Sequence, residues 1–513
     1  MFNRDTASKS LWQGTAETYK TVNTADPQTV YDVVIVGGGI AGVSIGVALQ
    51  KKGKNCLILE AESLCYGTTG GTTAHINTLL DTPYSTIESK FSQKAAHTVA
   101  DAAKDALALI KNNIKEYQID CAFSDAEAYL FAQDEKQEKE LDEIFQASES
   151  AGLTLRYTDS IDVPIGFRKA LIVEGQGKFH PVKYVHGLAS AFESLGGVIV
   201  EHSRVVNVED GEPVVVETDR YKYKGSSLIY ATHIPPGINL LHMRCGANRS
   251  YAMAVTLSDD KYPTRLSYDM YDPYHYYRTQ EWKGKKYLIV GGEDHKTGDH
   301  PNTDENFLAL ESHVKTHFKI NSIDYKWSSQ YFEPADGLPY IGQLPGHSDH
   351  IFVATGFGGN GMTFSTVASI IFSKWLGDNL IPYDNLFNPN RIKPIAGFVS
   401  FLSNNATVIQ NFFGKLIPSE KLGVLSGIAQ GEGEIVKFEG QKIALYRNDL
   451  GKLFALNPTC THMKCDVKWN QTERSWDCPC HGARYSPEGK VLTGPADHGL
   501  TVIDLETIME QSK

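Results

Sequence analysis

Two cysteines and two histidines near the C-terminus have the residue types and spacing most suited to chemistry. Cys460 and His462 form C-x-H, and Cys478 and His481 form C-x-x-H. Two thiolates and two imidazoles on two loops supply four ligands. That set suits structural zinc, or a [2Fe–2S] cluster with cysteines on one iron and histidines on the other.

A second set lies at the start of the chain. Asp32 to Val36 is a β-branched run that enters G-x-G-x-x-G at Gly37, Gly39 and Gly42. The first glycine permits a tight turn, the second lets backbone approach a pyrophosphate, and the third lets helix and strand pack closely, which Gly46 extends. Cys56 to Leu59 then reads as a second strand, and Glu60 stands where an acid accepts ribose hydroxyls. The loop Ala61 to Ala74, rich in glycine and hydroxyls, suits a wrap around phosphates and a ring. Thr355 to Gly361 forms a second glycine turn, feeding a helix from Met362 to about Leu376. Two such turns match a cofactor with phosphates at one end and a redox ring at the other, which favours FAD over NAD.

These sites need elements to hold them. At 513 residues the chain exceeds one core, and its length suggests roughly three domain-sized units. The net charge of -12 argues against nucleic acid or an anionic membrane as partner. No apolar leader opens the chain and no run of apolar residues is long enough to span a bilayer, so the expectation is a cytoplasmic protein without a membrane span. Cys56, Cys65, Cys121 and Cys245 read as free thiols. Val99, Ala103, Leu107, Ile110, Ile114 and Tyr117 recur at helical spacing, Leu141, Ile144 and Phe145 mark a second helix, and Pro181 opens a third. Strands are expected at Val198 to Val200, Val205 to Val208, Val214 to Val216 and Leu228 to Tyr230. From about Cys245 to Gly342 the pattern becomes alternating and tyrosine-rich, as in an antiparallel sheet.

Residues 31 to about 393 resemble the D-amino-acid oxidase class of flavoproteins, through VVIVGGGIAGVS, LILEAE, GTTGGTTA, SRVVNVE, DGLPYIG, VATGFGGNGMTF and NPNRI. The resemblance implies FAD held by Gly37, Gly39, Ile40, Ala41, Gly42, Glu60 and Ala61. It places Thr68, Thr69, Gly70 and Gly71 beside the flavin and Val205 against adenine. Gly356, Gly359, Gly361, Met362 and Thr363 fall toward the pyrimidine edge, where a helix N-terminus favours negative charge. From about Gly423 to Glu506 the chain is similar to a Rieske domain of the cytochrome bc type, through CTHMKC, CPCHGARY and Gly494-Pro495-Ala496. This implies Cys460 and Cys478 on one iron, His462 and His481 on the other, and a loop-tying disulfide between Cys465 and Cys480. Ala483 stands where high-potential members have serine, while Tyr485 is retained as a donor to sulfur. Fewer such bonds predict a potential on the order of −150 to +150 mV.

The fold class implied is α/β plus β: a Rossmann-like FAD-binding domain with an inserted antiparallel-sheet substrate domain, then a small all-β Rieske domain. Residues 1–29 form an arm packed on the surface by Leu11 and Trp12. The oxidoreductase spans 30–394 with insertions at about 120–175 and 245–342. Residues 395–417 are an apolar-faced connector, and 418–513 are the Rieske domain. His295 and His300 form H-x4-H, but the acid an iron triad needs falls at Gly292. His75, beside the flavin loop, reads as a polar core histidine rather than a covalent flavin link. Tyr268, Tyr271, Tyr274, His275, Tyr276, Tyr277 and Arg278 line a substrate pocket or form an aromatic strand face. Tyr276 and Arg278 are the candidates for orienting substrate, the arginine by forking a carboxylate.

The expected activity is oxidation of a C–N bond of a small amine or amino acid, with electrons leaving FAD through the cluster to a redox carrier or quinone. Two alternatives are a reductase or oxygenase whose cluster feeds the flavin, and a redox sensor or carrier.

Overall fold

A computed structural model of the chain describes residues 6–299, 302–391, 428–438 and 441–504. The connector expected at 395–417 lies outside the described residues, as does His300. The first strand, Val30–Val36, pairs in parallel with Cys56–Leu59 on one side and Lys222–Tyr230 on the other. Parallel strands covered on both faces read as continuous apolar runs, which is why this stretch lacks alternation. Ile351–Thr355 and Val198–Val200 extend the sheet, and Tyr340–Gln343 joins its edge antiparallel. Helices Pro181–Ser194 and Gly361–Phe372 both pack against Ile40–Gln50, and a π-helical turn, Ser373–Gly377, ends the second of them.

A second, nine-stranded sheet takes strands from both segments expected as insertions. Ser124–Ala132 and Lys169–Lys178 come from the first; Cys245–Leu257, Tyr276–Trp282, Lys285–Lys296 and Ile320–Pro334 come from the second. Leu266–Tyr268 pairs with Ser124–Ala132 and joins them. The C-terminal region forms two small antiparallel sheets around Trp476, Ala483 and Tyr485, all fully buried.

Leu11 and Trp12 hold the N-terminal arm down. Leu11 and Trp12 lie in the main core, 1% and 0% exposed, because Ser10 caps a short helix, Leu11–Thr15, that turns them inward. Trp12 Nε1 donates to the carbonyl of Thr72, and Ser10 Oγ donates to that of Gly70, so the arm backs the hydroxyl-rich loop.

The C-terminal region is docked on the second sheet through buried polar contacts. Arg249 and Glu473 are 0% and 1% exposed and bridged by Ser328, which donates to Glu473. Thr303 Oγ1 donates to Asn470 Oδ1 at 2.8 Å. A buried pair of this kind is costly to break once formed, because each charge left alone has no water to return to.

Candidate functional site

One cavity runs between the two large sheets. At its first-sheet end Gly37, Gly39, Ile40, Ala41, Glu60 and Ala61 form the wall. A Cβ on Gly39 would fall 2.9 Å from Thr69 Oγ1, which itself accepts from Ile40 N–H at 3.1 Å. The missing side chain keeps this wall open, as a phosphate cradle requires. Glu60 accepts from Gly38 N–H at 2.6 Å and Glu62 N–H at 2.9 Å. Desolvation raises its pKa, while those two N–H groups and the Arg204 charge oppose the rise.

Thr68, Thr69, Gly71, Val205, Gly359, Gly361 and Met362 also line the cavity. Gly42, Gly70, Gly356 and Thr363 are not part of that lining, and Gly42 holds the close helix–strand packing expected of the third glycine. Each stands behind the wall for a packing reason. A Cβ on Gly42 would meet the Gly37 carbonyl, one on Gly70 would meet Cys65 and Gln13, and one on Gly356 would meet Cys245. Thr363 Oγ1 is turned to the Asn77 carbonyl at 2.9 Å.

The second-sheet end carries Tyr268, Tyr274 and Tyr276 from the aromatic segment. Tyr271 is exposed, Tyr277 is buried against His313, and His275 is held between Asp269 and Glu293. Arg278 corrects the second substrate assignment. It is fully buried, with Nη1 donating to the carbonyls of Thr73, Ala74 and Phe179 and Nη2 to Gln280. Those bonds fasten the loop from behind and leave no fork facing the cavity. His75 lines the cavity with Nδ1 2.7 Å from Tyr268 OH, and its Nε2 has no hydrogen-bond partner among the described residues. His295 is engaged with Tyr251 OH at 2.9 Å.

In the C-terminal region the two loops bring Cys460, Cys478, His462 and His481 together. The histidine ring centroids are 5.0 Å apart. Among the described residues Nδ1 of His462 and Nδ1 of His481 are buried without a hydrogen-bond partner, and both cysteines are buried free thiols. Two orphaned ring nitrogens and two thiols are the donor set a histidine- and cysteine-ligated cluster needs. Cys465 and Cys480 form a disulfide that joins the loops. Their sulfurs lie close to that of Cys478, but both are consumed by the disulfide, so this trio is not a separate metal site.

Tyr485 OH lies 3.1 Å from Cys460 Sγ, while Ala483 is a fully buried methyl with no donor. Tyr485→Phe is expected to lower the cluster potential, since a lost bond to ligand sulfur withdraws stabilisation from the reduced state. An EPR-monitored redox titration reads the shift, and an unchanged midpoint would remove Tyr485 from this role.

Sequence reasoning gave no sign of the junction between the two regions. Leu492, Thr493, Gly494, Ala496 and Asp497, all C-terminal, line the same cavity as Gly37 and Glu60. His462 Nε2 is 3.0 Å from Nδ1 of His242, whose own Nε2 meets the Pro235 carbonyl at 2.8 Å. Gln330 Nε2 donates to the Gly482 carbonyl at 2.9 Å, and Thr68 Oγ1 donates to the Gln330 carbonyl at 2.9 Å. Asp81, Asp294 and Tyr331 on the cavity wall were missed as well. No motif spacing marks His242, Gln330, Asp81, Asp294 or Tyr331, and none marks that Gly494 and Ala496 of the covering loop would reach this cavity.

A family model described as FAD dependent oxidoreductase matches residues 32–375, and one described as Rieske [2Fe-2S] domain matches residues 421–504. The chain is 33% identical over 483 residues to the Bacillus subtilis (strain 168) protein YhfW, described as a Rieske 2Fe-2S iron-sulfur protein, covering 93% of this chain and 94% of that one. It is 23% identical to gamma-glutamylputrescine oxidoreductase of Escherichia coli (strain K12), over 74% of this chain and 92% of that protein. Among solved structures, glycine oxidase from Geobacillus kaustophilus superposes with a TM-score of 0.57 at 18% identity, covering 71% of this chain and 99% of that one.

Proposed function

Since the chain belongs to the FAD dependent oxidoreductase family and carries a Rieske [2Fe-2S] domain, we propose that it oxidises a C–N bond of an amine or amino acid and passes the electrons from flavin to cluster to an external acceptor. The observation that carries this reading is the shared wall: residues 492–497 of the C-terminal region close the cavity that Gly37 and Glu60 open. When bound, FAD takes a hydride's two electrons together and gives them up singly, and the [2Fe-2S] cluster takes them one at a time.

The chain's own residues supply position and insulation. Gly37, Gly39 and Glu60 would hold the dinucleotide; Cys460, Cys478, His462 and His481 would hold the cluster; Tyr276 would orient substrate. Two hydrogen-bonded routes lead to the cluster loops, one from the cavity wall through Thr68 and Gln330 to Gly482 beside His481, and one from Pro235, between the wall residues Ile234 and Pro236, through His242 to His462. His462 and His481 are 5% and 9% exposed, and His242 covers Nε2 of the first. A quinone therefore has no access to that nitrogen in this arrangement, which favours a carrier that reaches the cluster from another side. The substrate, its nitrogen deprotonated, would lose a hydride from carbon and a proton from nitrogen, and the imine so formed would take up water to release a carbonyl product and the amine or ammonia.

Anaerobic mixing with a panel of amines and amino acids is expected to bleach the flavin first and produce the reduced-cluster EPR signal second. Cluster reduction by an external donor, followed by flavin reduction without substrate turnover, would reverse the proposed current. Silence toward the whole panel would remove the C–N assignment.

A further inference from the structure

The second-sheet end of the cavity has a composition that selects among those substrates. Asp81 and Asp294 both line it, and the rings of Tyr268, Tyr274, Tyr276 and Tyr331 complete the wall. Tyr331 OH donates to Asp294 Oδ2 at 2.9 Å, and Asp294 Oδ1 is buried, with Ser250 beside the carboxylate. Asp81 is fixed by its own N–H, which donates to Asn360 Oδ1 at 2.9 Å, and its carboxylate stands against Gly359.

Among the described residues the only lysine or arginine on the cavity wall is Arg204. It belongs to the opposite end, where it meets Glu62 and the Val491 carbonyl. Arg278, the cation nearest the tyrosines in sequence, is committed to carbonyls behind the wall. A substrate carboxylate entering here would face two acids with no counter-charge, and desolvating it unpaired is costly. A cationic ammonium would find carboxylates for charge pairing and tyrosine faces for cation–π contact.

Resting on the C–N oxidation reading, we propose that the substrate is a cationic amine with no carboxylate on the carbon that bears nitrogen, held by Asp81 and Asp294 within the tyrosine wall. A free α-amino acid is excluded by the same residues.

The pair also gives a pH signature. Desolvation, with the Glu333 charge beside it, pushes Asp81 up to about 6, and desolvation, with the charges of Asp81 and Glu333, pushes Asp294 up to about 7. Ser250, Tyr276 and Tyr331 face Asp294, while Gly359, Asn360 and Tyr274 face Asp81. Asp81 thus ionises around pH 6 and Asp294 around pH 7, so amine binding should tighten from pH 6 to pH 8.

The test uses the FAD-loaded, full-length protein with matched probes: butylamine and putrescine against glycine, alanine and proline. Binding is read from perturbation of the flavin absorption spectrum, and turnover from anaerobic bleaching. The amines are expected to bind and bleach at least about tenfold more effectively than the amino acids, and Asp294→Asn is expected to erase that preference. Amines that perturb the spectrum without bleaching would support the pocket assignment while removing C–N oxidation of those amines. An amino acid that binds or bleaches better than the amines would overturn this inference and leave the C–N oxidation reading intact. No perturbation by any probe would also overturn it. The wild-type comparison stands even if Asp294→Asn fails to fold.

Discussion

Gly482→Ala is expected to slow electron transfer from flavin to cluster on the order of a hundredfold while both cofactors stay bound. Gly482 has φ +73, a left-handed conformation that costs a residue with a Cβ about 1–2 kcal/mol. The new Cβ would fall 2.4 Å from the Cβ of Ala247 and 3.1 Å from Nε2 of Gln330. Ala247 sits in Cys245–Leu257, a strand paired on both sides, so the strand cannot yield and the cluster loop must move. That displacement breaks the Gln330–Gly482 bond beside His481. Misplacement of about 1 Å is enough to cost roughly 10²-fold where geometry controls the rate.

Stopped-flow absorbance reads flavin reduction, and rapid-freeze EPR reads the cluster in the same reaction. Flavin reduction should stay near the wild-type rate, since its wall is unchanged. Ala247→Gly, which removes the opposing methyl, should restore much of the coupling in the double variant. An unaltered cluster-reduction rate in Gly482→Ala would show that the docked loop is not the route.

Gly42→Ala is expected to yield protein without FAD. Its Cβ would lie 1.9 Å from the Gly37 carbonyl oxygen and 3.1 Å from the carbonyl carbon, so backbone meets backbone. Ordinary overpacking costs about 1–3 kcal/mol because side chains shift, but here the helix must leave the strand. The phosphate turn is built from that helix start, so its geometry goes with it. Gly46→Ala on the same helix is the control. Its Cβ would meet only side-chain atoms of Ile58 and Phe192 at 3.0 Å, which can give. Flavin absorbance per chain in the purified variants decides it. Full FAD occupancy in Gly42→Ala would contradict this account of the turn.

Local spacing marked the dinucleotide turn and the four-ligand set, and the resemblance of both segments to known families supplied the fold and the identity of the cluster. Gly37, Gly39, Gly42 and Glu60 were readable because a dinucleotide turn imposes its glycines on consecutive residues of one strand and helix. Cys460, His462, Cys478 and His481 were readable because each loop presents its ligands within a few residues. Where the reading fell short, the cause was long-range packing. Leu11 and Trp12 look like a surface anchor until the loop at Gly70 and Thr72 is seen to need them. Arg278 looks like a substrate fork until the carbonyls of Thr73, Ala74 and Phe179 claim its donors.

The amino-acid order alone thus determined which cofactors the chain holds and which short segments hold them, since those contacts are made by neighbours in sequence. Only the tertiary structure decided how the two halves meet: His242 lies far from His462 in the chain, and Gln330 far from Gly482, yet each pair is hydrogen-bonded. It also decided the character of the substrate end, because Asp81 and Asp294 come from separate segments and no periodicity links them. Charge complementarity is a property of a wall, and a wall exists only after the sheets have closed around it.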